Sequence, residues 1–291
     1  MESNSCKVCG SKNLKIFAHT AKCASCGVLL CYPYPEVRET EYLFGREELL
    51  GGERTAAQAK TLTWHIRSGA RNHHNFTDMA IFALSDEERN KNLKILDYGG
   101  GGGQFALVLK SLFPKSEVWI VDMDNERLLD EYRPLNQQIK FEDFAESDQT
   151  FDVIFLNDVF EHVSDPLRVL CDLRSKLNPF GKIFIDTPCE FWLYPVTKLF
   201  SNKIHTQLLE GTVTYDHQQI WTKQSFECIV SKAGLNVQTF VRLSEYTQPA
   251  SFYLKNMGIQ SFFVNLAGQI FFSLSPYIAR NKIMSTLTVE K

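Results

Sequence analysis

Several signals are missing from this sequence, and each absence narrows what the chain can be. No stretch offers the roughly 18 uninterrupted apolar residues that a membrane-spanning helix needs. The nearest, residues 259–279, is broken by Gln260, Asn265, Gln269 and Ser273, so no stable membrane insertion is expected. No apolar core follows the opening "MESNSCKVCG", which argues against an export signal and makes a cytoplasmic location the default expectation. Runs of lysine or arginine are absent, as is an acidic tail; 31 basic residues are interspersed with 34 acidic ones, for a net charge of −3. That balance disfavours a nucleic-acid tract, and no nucleic-acid partner is expected. There is no internal repeat and no low-complexity segment.

What is present is an ordinary globular composition, 44% apolar and 22% charged over 291 residues. That length suits one large domain with appendages, or two domains. Residues 1–35 are rich in cysteine and end in "YPYP", a proline-marked boundary. Residues 36–92 read as a helical cap or linker: Leu62, Ile66 and Ala70 recur at helical spacing, followed by Phe76, Met79, Ala80 and Ala83. From residue 93 short apolar or β-branched runs take over: "LKILDY" (93–98), "EVWIVD" (117–122), "IKFED" (139–143), "FDVIFLN" (151–157), "GKIFIDT" (181–187) and "LNVQTFVRLS" (235–244). Helix-like stretches such as "GQFALVLKSLF", "NERLLDEYR", "PLRVLCDLRSKL" and "TKQSFECIVSKAG" separate most of them. This alternation predicts an α/β fold with a doubly wound sheet over 93–291. Gly181 and Gly234 stand where helix C-terminal glycines are expected. The final "NKIMSTLTVEK" alternates like a closing strand. Residues 247–280 then become an insertion between the last two strands, or a helical extension over the sheet.

The stretch "LDYGGGGGQFA" (96–106) runs from a strand through five glycines into a helix. This is the strand-to-helix turn where open α/β sheets bind ligands: small residues admit a cofactor to the backbone, and the helix N-terminus supplies free N–H groups. A floppy linker would not be bracketed in this way. Two cofactor patterns fit. Gly101, Gly103 and Ala106 match the dinucleotide fingerprint, with Asp122 about 20 residues on. Asp97, Gly99, Gly101 and Gly103 match D-x-G-x-G-x-G. Asp97 separates the two readings, because its carboxylate repels a pyrophosphate and attracts the cationic amino-acid end of S-adenosylmethionine.

Of eight cysteines, Cys6, Cys9, Cys23 and Cys26 form C-x2-C-x13-C-x2-C with a glycine after each pair. In a chain without an export signal this clustering favours a metal over disulfides. Two C-x-x-C-G knuckles joined by a short hairpin ("LKIFAH") predict a tetrahedral four-cysteine zinc ribbon. Four thiolates leave no open coordination position, so the zinc is expected to be structural, and a chelator to unfold this end of the chain. Redox dithiols and nucleic-acid contact are the alternative functional readings. Cys31 is expected to be buried, and Cys171, Cys189 and Cys228 to lie in the core.

On these motifs, taken in order, segment 93–190 resembles the class I S-adenosylmethionine-dependent methyltransferases. The resemblance implies a Rossmann-like seven-stranded sheet and S-adenosylmethionine as cofactor. It places Asp97, Gly99 and Gly101 in the glycine-rich loop. "WIVDMD" would end in the acid that takes both ribose hydroxyls, Asp122, with Met123 beside it. "FEDF" would supply Asp143 for the adenine amine and Phe144 alongside, with Glu142 competing for the first role. "FDVIFLNDVFEHVSDP" would bring Asn157 to the border of the cofactor, unless it only caps a turn. Glu161 and His162 follow; in this family such a pair often supports the loop, and His162 also stands as a catalytic candidate. Gly100 sits where the family commonly has cysteine or alanine, so Ala at Gly100 is expected to leave cofactor affinity nearly intact. A zinc ribbon ahead of such a domain resembles a group of bacterial enzymes that includes C-methyltransferases of nucleotide-linked deoxysugars. Those carry a further C-terminal domain that these residues do not hold, which weakens sugar C-methylation as the expected reaction.

The acceptor side is expected beyond the fourth and fifth strands, where the aromatic-rich insertion 188–222 leads into "YDHQQIWTKQSF". His217 is the candidate base, with Tyr215 and Asp216 placed to orient it or to bind the acceptor; alternatively His217 holds the insertion closed. His65, His73 and His74 read as ordinary polar residues, since adjacent helical positions point about 100° apart. The expected function is methyl transfer to a small polar acceptor, a hydroxyl of a sugar or related metabolite. A zinc-ribbon-guided modifier of protein or RNA, a non-catalytic cofactor-binding scaffold and a nicotinamide enzyme are the alternatives. Homo-oligomerisation is left open, and so is the role of 247–280 as lid, dimer surface or weak membrane contact.

Overall fold

The computed structural model describes residues 5–17, 20–32, 76–124, 136–189, 217–244 and 280–289, together with residues 128, 133, 266, 268–270, 273–274 and 277. The helix expected through Leu62, Ile66 and Ala70, with His65, His73 and His74, lies outside these residues, as do Tyr215, Asp216, most of "NERLLDEYR" and most of both insertions.

Parallel strands buried on both faces are written as nearly continuous apolar runs. That pattern builds the centre of the molecule: β4 (Lys94–Tyr98), β5 (Glu117–Val121), β7 (Phe151–Asn157) and β8 (Leu177–Pro188). With the short β6 (Gln137–Gln138), β10 (Leu235–Leu243) and β11 (Lys282–Val289), they form one seven-stranded sheet in the order β10-β11-β8-β7-β4-β5-β6. The strands from β8 to β6 in that order run parallel, while β11 enters antiparallel between β8 and β10. The closing strand expected at the end of the chain is therefore present and lies inside the sheet.

Successive residues of β4 point to opposite faces, and each face has its own core. Ile95 joins a cluster with Phe105 and Leu109 of α2 (Gln104–Leu112) and with Phe76, Met79, Ala80 and Ala83 of the helical stretch 76–83, labelled α1. Leu96 joins the other cluster, with Leu170 and Leu173 of α4 (Pro166–Ser175) and Phe226 and Ile229 of α5 (Lys223–Lys232). Helices on both faces make the sheet doubly wound, as the sequence pattern predicts.

A second sheet contains β1 (Leu14–Phe17), β2 (Thr20–Cys23) and β3 (Leu29–Cys31) of the cysteine-rich segment, and its fourth strand is β9 (Gln219–Ile220). The order is β1-β2-β3-β9, with Leu29 opposite Ile220 and Leu30 opposite Gln219.

Three expectations need correction. "IKFED" is not a strand: pairing to β5 stops at Gln138, and Phe141–Phe144 forms a helical turn, α3, that tucks Phe144 against Tyr98 with ring centroids 5.5 Å apart. Gly181 does not end a helix. Helix α4 stops at Ser175, and Gly181 lies inside β8, just after the left-handed Phe180 (φ 67°). Cys171 is exposed, because α4 turns Leu170 inward and its neighbour points about 100° away.

Candidate functional site

The C-terminal ends of β4, β5, β7 and β8 converge at one edge of the large sheet, where ligands bind in this architecture. Asp97, the penultimate residue of β4, is buried. Its Oδ2 has no hydrogen-bond partner. Burial, reinforced by the nearby negative charge of Asp122, pushes the Asp97 carboxyl up to about 7. A buried carboxylate oxygen left without a donor is costly unless a cation or donor completes it.

The glycine loop wraps over this group. Gly99, Gly101 and Gly103 take positive φ of 77°, 52° and 87°, and Gly103 caps α2. The Gly101 N–H donates to Asp122 Oδ2 at 2.7 Å, and the Asp124 N–H donates to Asp122 Oδ1 at 3.0 Å. Asp122 is thus fixed at the end of β5 by two backbone donors, with acceptor capacity left over. A methyl group on Gly99 would lie 2.4 Å from Val159 Cγ2. On Gly100 it would lie 2.8 Å from Asp97 Oδ2 and 2.9 Å from Ile120 Cγ2. The absent side chain at Gly100 thus keeps the loop clear of the Asp97 carboxylate and of Ile120. A buried carboxylate oxygen with no donor suits a compact group bearing positive charge, and so fits the amino-acid end of S-adenosylmethionine.

The remaining cofactor candidates sit around this edge. Asn157 closes β7 beside Asp186 of β8, and its Oδ1 is buried without a partner. Met123 is half-buried beside Asp122, Phe144 is buried against Tyr98, and Asp143 is exposed on α3.

The turn after β7 carries the acceptor-side candidates. Asp158 adopts φ 51°, and Glu161 is buried, accepting a hydrogen bond from Thr187 Oγ1 at 3.0 Å. Burial, with Asp158 adding like charge, raises the Glu161 carboxyl well above its usual range. His162 and His217 come together edge to face, ring centroids 4.9 Å apart. Glu161, His162 and His217 each bring a ligand atom within 4.8 Å of the others. That set could share a proton or hold a cation.

Two further residues escaped the sequence reading. Lys282 of β11 reaches between Asp158 Oδ1 (2.8 Å) and Asp186 Oδ2 (2.6 Å). The paired carboxylates outweigh its burial, and the ammonium is held above its ordinary range. Asp186 could have been found as an acid ending a strand, in register with Asn157. Lys282 gave no signal, because its partners depend on β11 entering antiparallel beside β8.

The four cysteines of the knuckles converge as well. Their sulfurs lie within 4.8 Å of one another, with Cys6–Cys26 at 3.7 Å and Cys9–Cys23 at 3.5 Å. A tetrahedral zinc with 2.3 Å bonds sets thiolates about 3.8 Å apart, so the donor set fits that ion. Gly10 and Gly27, one after each pair, are left-handed at φ 82° and 81°, which lets the knuckles turn.

A family model described as a methyltransferase domain matches residues 69–239. The human mitochondrial ubiquinone biosynthesis O-methyltransferase is 32% identical over 164 residues, covering 51% of this chain and 43% of its own length. The ubiquinone biosynthesis O-methyltransferase of Histophilus somni is 29% identical over 135 residues, covering 42% and 57%. The chain thus spans about half the length of these relatives. Among solved structures, the cyclopropane synthase MmaA2 from Mycobacterium tuberculosis superposes with a TM-score of 0.50 at 14% identity, over 72% of this chain and 82% of that one. That likeness speaks to the fold alone.

Proposed function

The chain belongs to the methyltransferase-domain family, and from that premise we propose that it transfers a methyl group from S-adenosylmethionine to an oxygen of a small polar acceptor, a hydroxyl of a sugar or related metabolite. The observation that carries the cofactor assignment is the buried, unpartnered Oδ2 of Asp97 beneath a glycine loop in which a methyl group at Gly99 or Gly100 would collide with its neighbours. The matched relatives are named O-methyltransferases, which supports an oxygen as acceptor.

When bound, the cofactor supplies an electrophilic methyl on a sulfonium. The protein's task is to hold it, align the acceptor, exclude water and take up a proton. In this reading Asp97 faces the ammonium, Asp122 the ribose hydroxyls and Asp143 the adenine amine, with Met123, Phe144 and Asn157 bordering them. His217 Nδ1 or Nε2 takes the acceptor's proton, and His162, 4.9 Å away ring to ring, relays or orients it. Tyr215 lies outside the described residues and is proposed only as an acceptor contact. The four thiols hold a structural zinc, with one ion per chain expected by metal analysis. Among the described residues no helix is long and apolar enough to cross a membrane.

Incubating the protein with labelled S-adenosylmethionine and a cell extract, then separating small molecules from protein and RNA, tests the acceptor class. Label in the small-molecule fraction is the expected result. Label confined to protein or RNA would replace this reading with that of a macromolecular modifier.

A further inference from the structure

The cysteine ribbon does more than fold on itself. Its strand β3 pairs with β9, and the Cys31 N–H donates to Gln218 O at 2.9 Å. Residues 218 and 219 in turn grip the β7-end turn that carries Glu161 and His162. The Gln218 N–H donates to Glu161 O at 2.9 Å, and Gln219 Nε2 donates to Phe160 O at 2.8 Å and to Val163 O at 2.9 Å. Gln219 is 1% exposed, so these bonds have no competing water. Lys7, inside the first knuckle, donates to Ser164 O at 3.2 Å on the same turn. The second knuckle is tied to the start of α5, where Thr222 Oγ1 donates to Cys26 O at 2.9 Å. Beneath the seam Phe160 stacks on Trp221, centroids 4.8 Å apart and planes within 11°. Both rings share one core with Cys6, Cys23 and Cys26.

His217 directly precedes the clamped residues Gln218 and Gln219, and His162 lies in the clamped turn. The cofactor candidates Asp97, Gly101 and Asp122 come from β4 and β5, on the other side of β7 from β8. We propose that the four-cysteine centre, acting through Gln219, positions His217 against His162, so that metal loading of the ribbon sets the acceptor-side pair while leaving cofactor affinity in place. Gln219 is then a positioning residue: its two donors fix the turn on which His162 sits, and its backbone carries the ribbon's order to His217. The histidine roles rest on the methyltransferase reading, but the clamp itself does not. A device of this kind would make the acceptor side, and not the cofactor side, sensitive to metal loss or thiol oxidation.

The test uses the full chain in three forms: zinc-loaded, zinc-stripped with EDTA, and zinc-loaded Gln219→Leu. Each is treated with diethyl pyrocarbonate, and modification of His162 and His217 is followed by peptide mass spectrometry. Affinity for S-adenosylhomocysteine is measured in parallel. Local opening predicts that both histidines react about fivefold faster or more in the stripped protein and in Gln219→Leu, with cofactor affinity changed by less than about twofold. Gln219→Leu should keep its zinc, which separates loss of the clamp from loss of the ribbon. Unchanged histidine reactivity overturns the proposal. So does cofactor affinity that falls together with the metal, since the ribbon would then support the whole fold. If the zinc-loaded protein binds no S-adenosylhomocysteine, the methyltransferase reading fails while histidine reactivity still decides the clamp.

Discussion

Asp97 carries the sharpest conflict in the molecule, because a position that suits a cationic cofactor is a poor one for an isolated carboxyl. Its folded-state value, raised to about 7, lies above that of an unfolded aspartate. The proton is therefore held more tightly in the folded chain, and the group lowers stability as pH rises from about 4 through 7. Asp97→Asn should accordingly raise the melting temperature at pH 8 while weakening S-adenosylhomocysteine binding; calorimetry on both proteins checks the pair of effects. The same residue sets a pH dependence for the native site. A ligand ammonium favours the ionised carboxylate, so affinity should weaken by up to about tenfold per unit as pH falls below 7, and level off above it. Affinity that is flat between pH 6 and 8 would show that Asp97 does not face the charged end of the cofactor. Lys282 is the opposite case, a half-buried cation satisfied by two acids. Lys282→Met leaves the fully buried Asp186 without its cation and should cost about 3–5 kcal/mol in denaturant unfolding.

Among the elements, the glycine loop shows where reading the sequence succeeds and where it stops. Strands β4, β7 and β8 were legible because buried parallel strands announce themselves as apolar runs, and the strand-loop-helix bracket around Gly99–Gly103 was legible with them. The need for glycine at position 100 was not legible. It arises from Ile120 on the neighbouring strand and from the rotamer of Asp97, neither of which a local pattern contains. Gly100→Ala should therefore weaken S-adenosylhomocysteine binding by about tenfold or more, as filling a contact under 3 Å forces the carboxylate or the loop to move. Retained affinity would mean that Asp97 can rotate away freely. "IKFED" misleads for a related reason. Its alternation is strand-like, but the packing of Phe144 on Tyr98 winds Phe141–Phe144 into a helical turn.

At the scale of the whole molecule, the sequence divides into a cysteine block, a helical block and an α/β block, and the first and last of these can be recognised from spacing alone. Their joint could not be, since the fourth strand of the ribbon sheet is only Gln219–Ile220, some 190 residues away in the chain and too short to leave a pattern. That joint brings His162 and His217 against the ribbon, while the glycine-loop edge is built by the large sheet. The central claim is that this edge holds S-adenosylmethionine through Asp97 and Asp122. Titration calorimetry of S-adenosylhomocysteine into the protein and into Asp122→Ala at pH 8 tests it most directly. The account predicts micromolar binding to the native chain, weakened by about tenfold or more in the variant, through loss of charge-assisted hydrogen bonds. No binding, or binding that Asp122→Ala leaves unchanged, would contradict it.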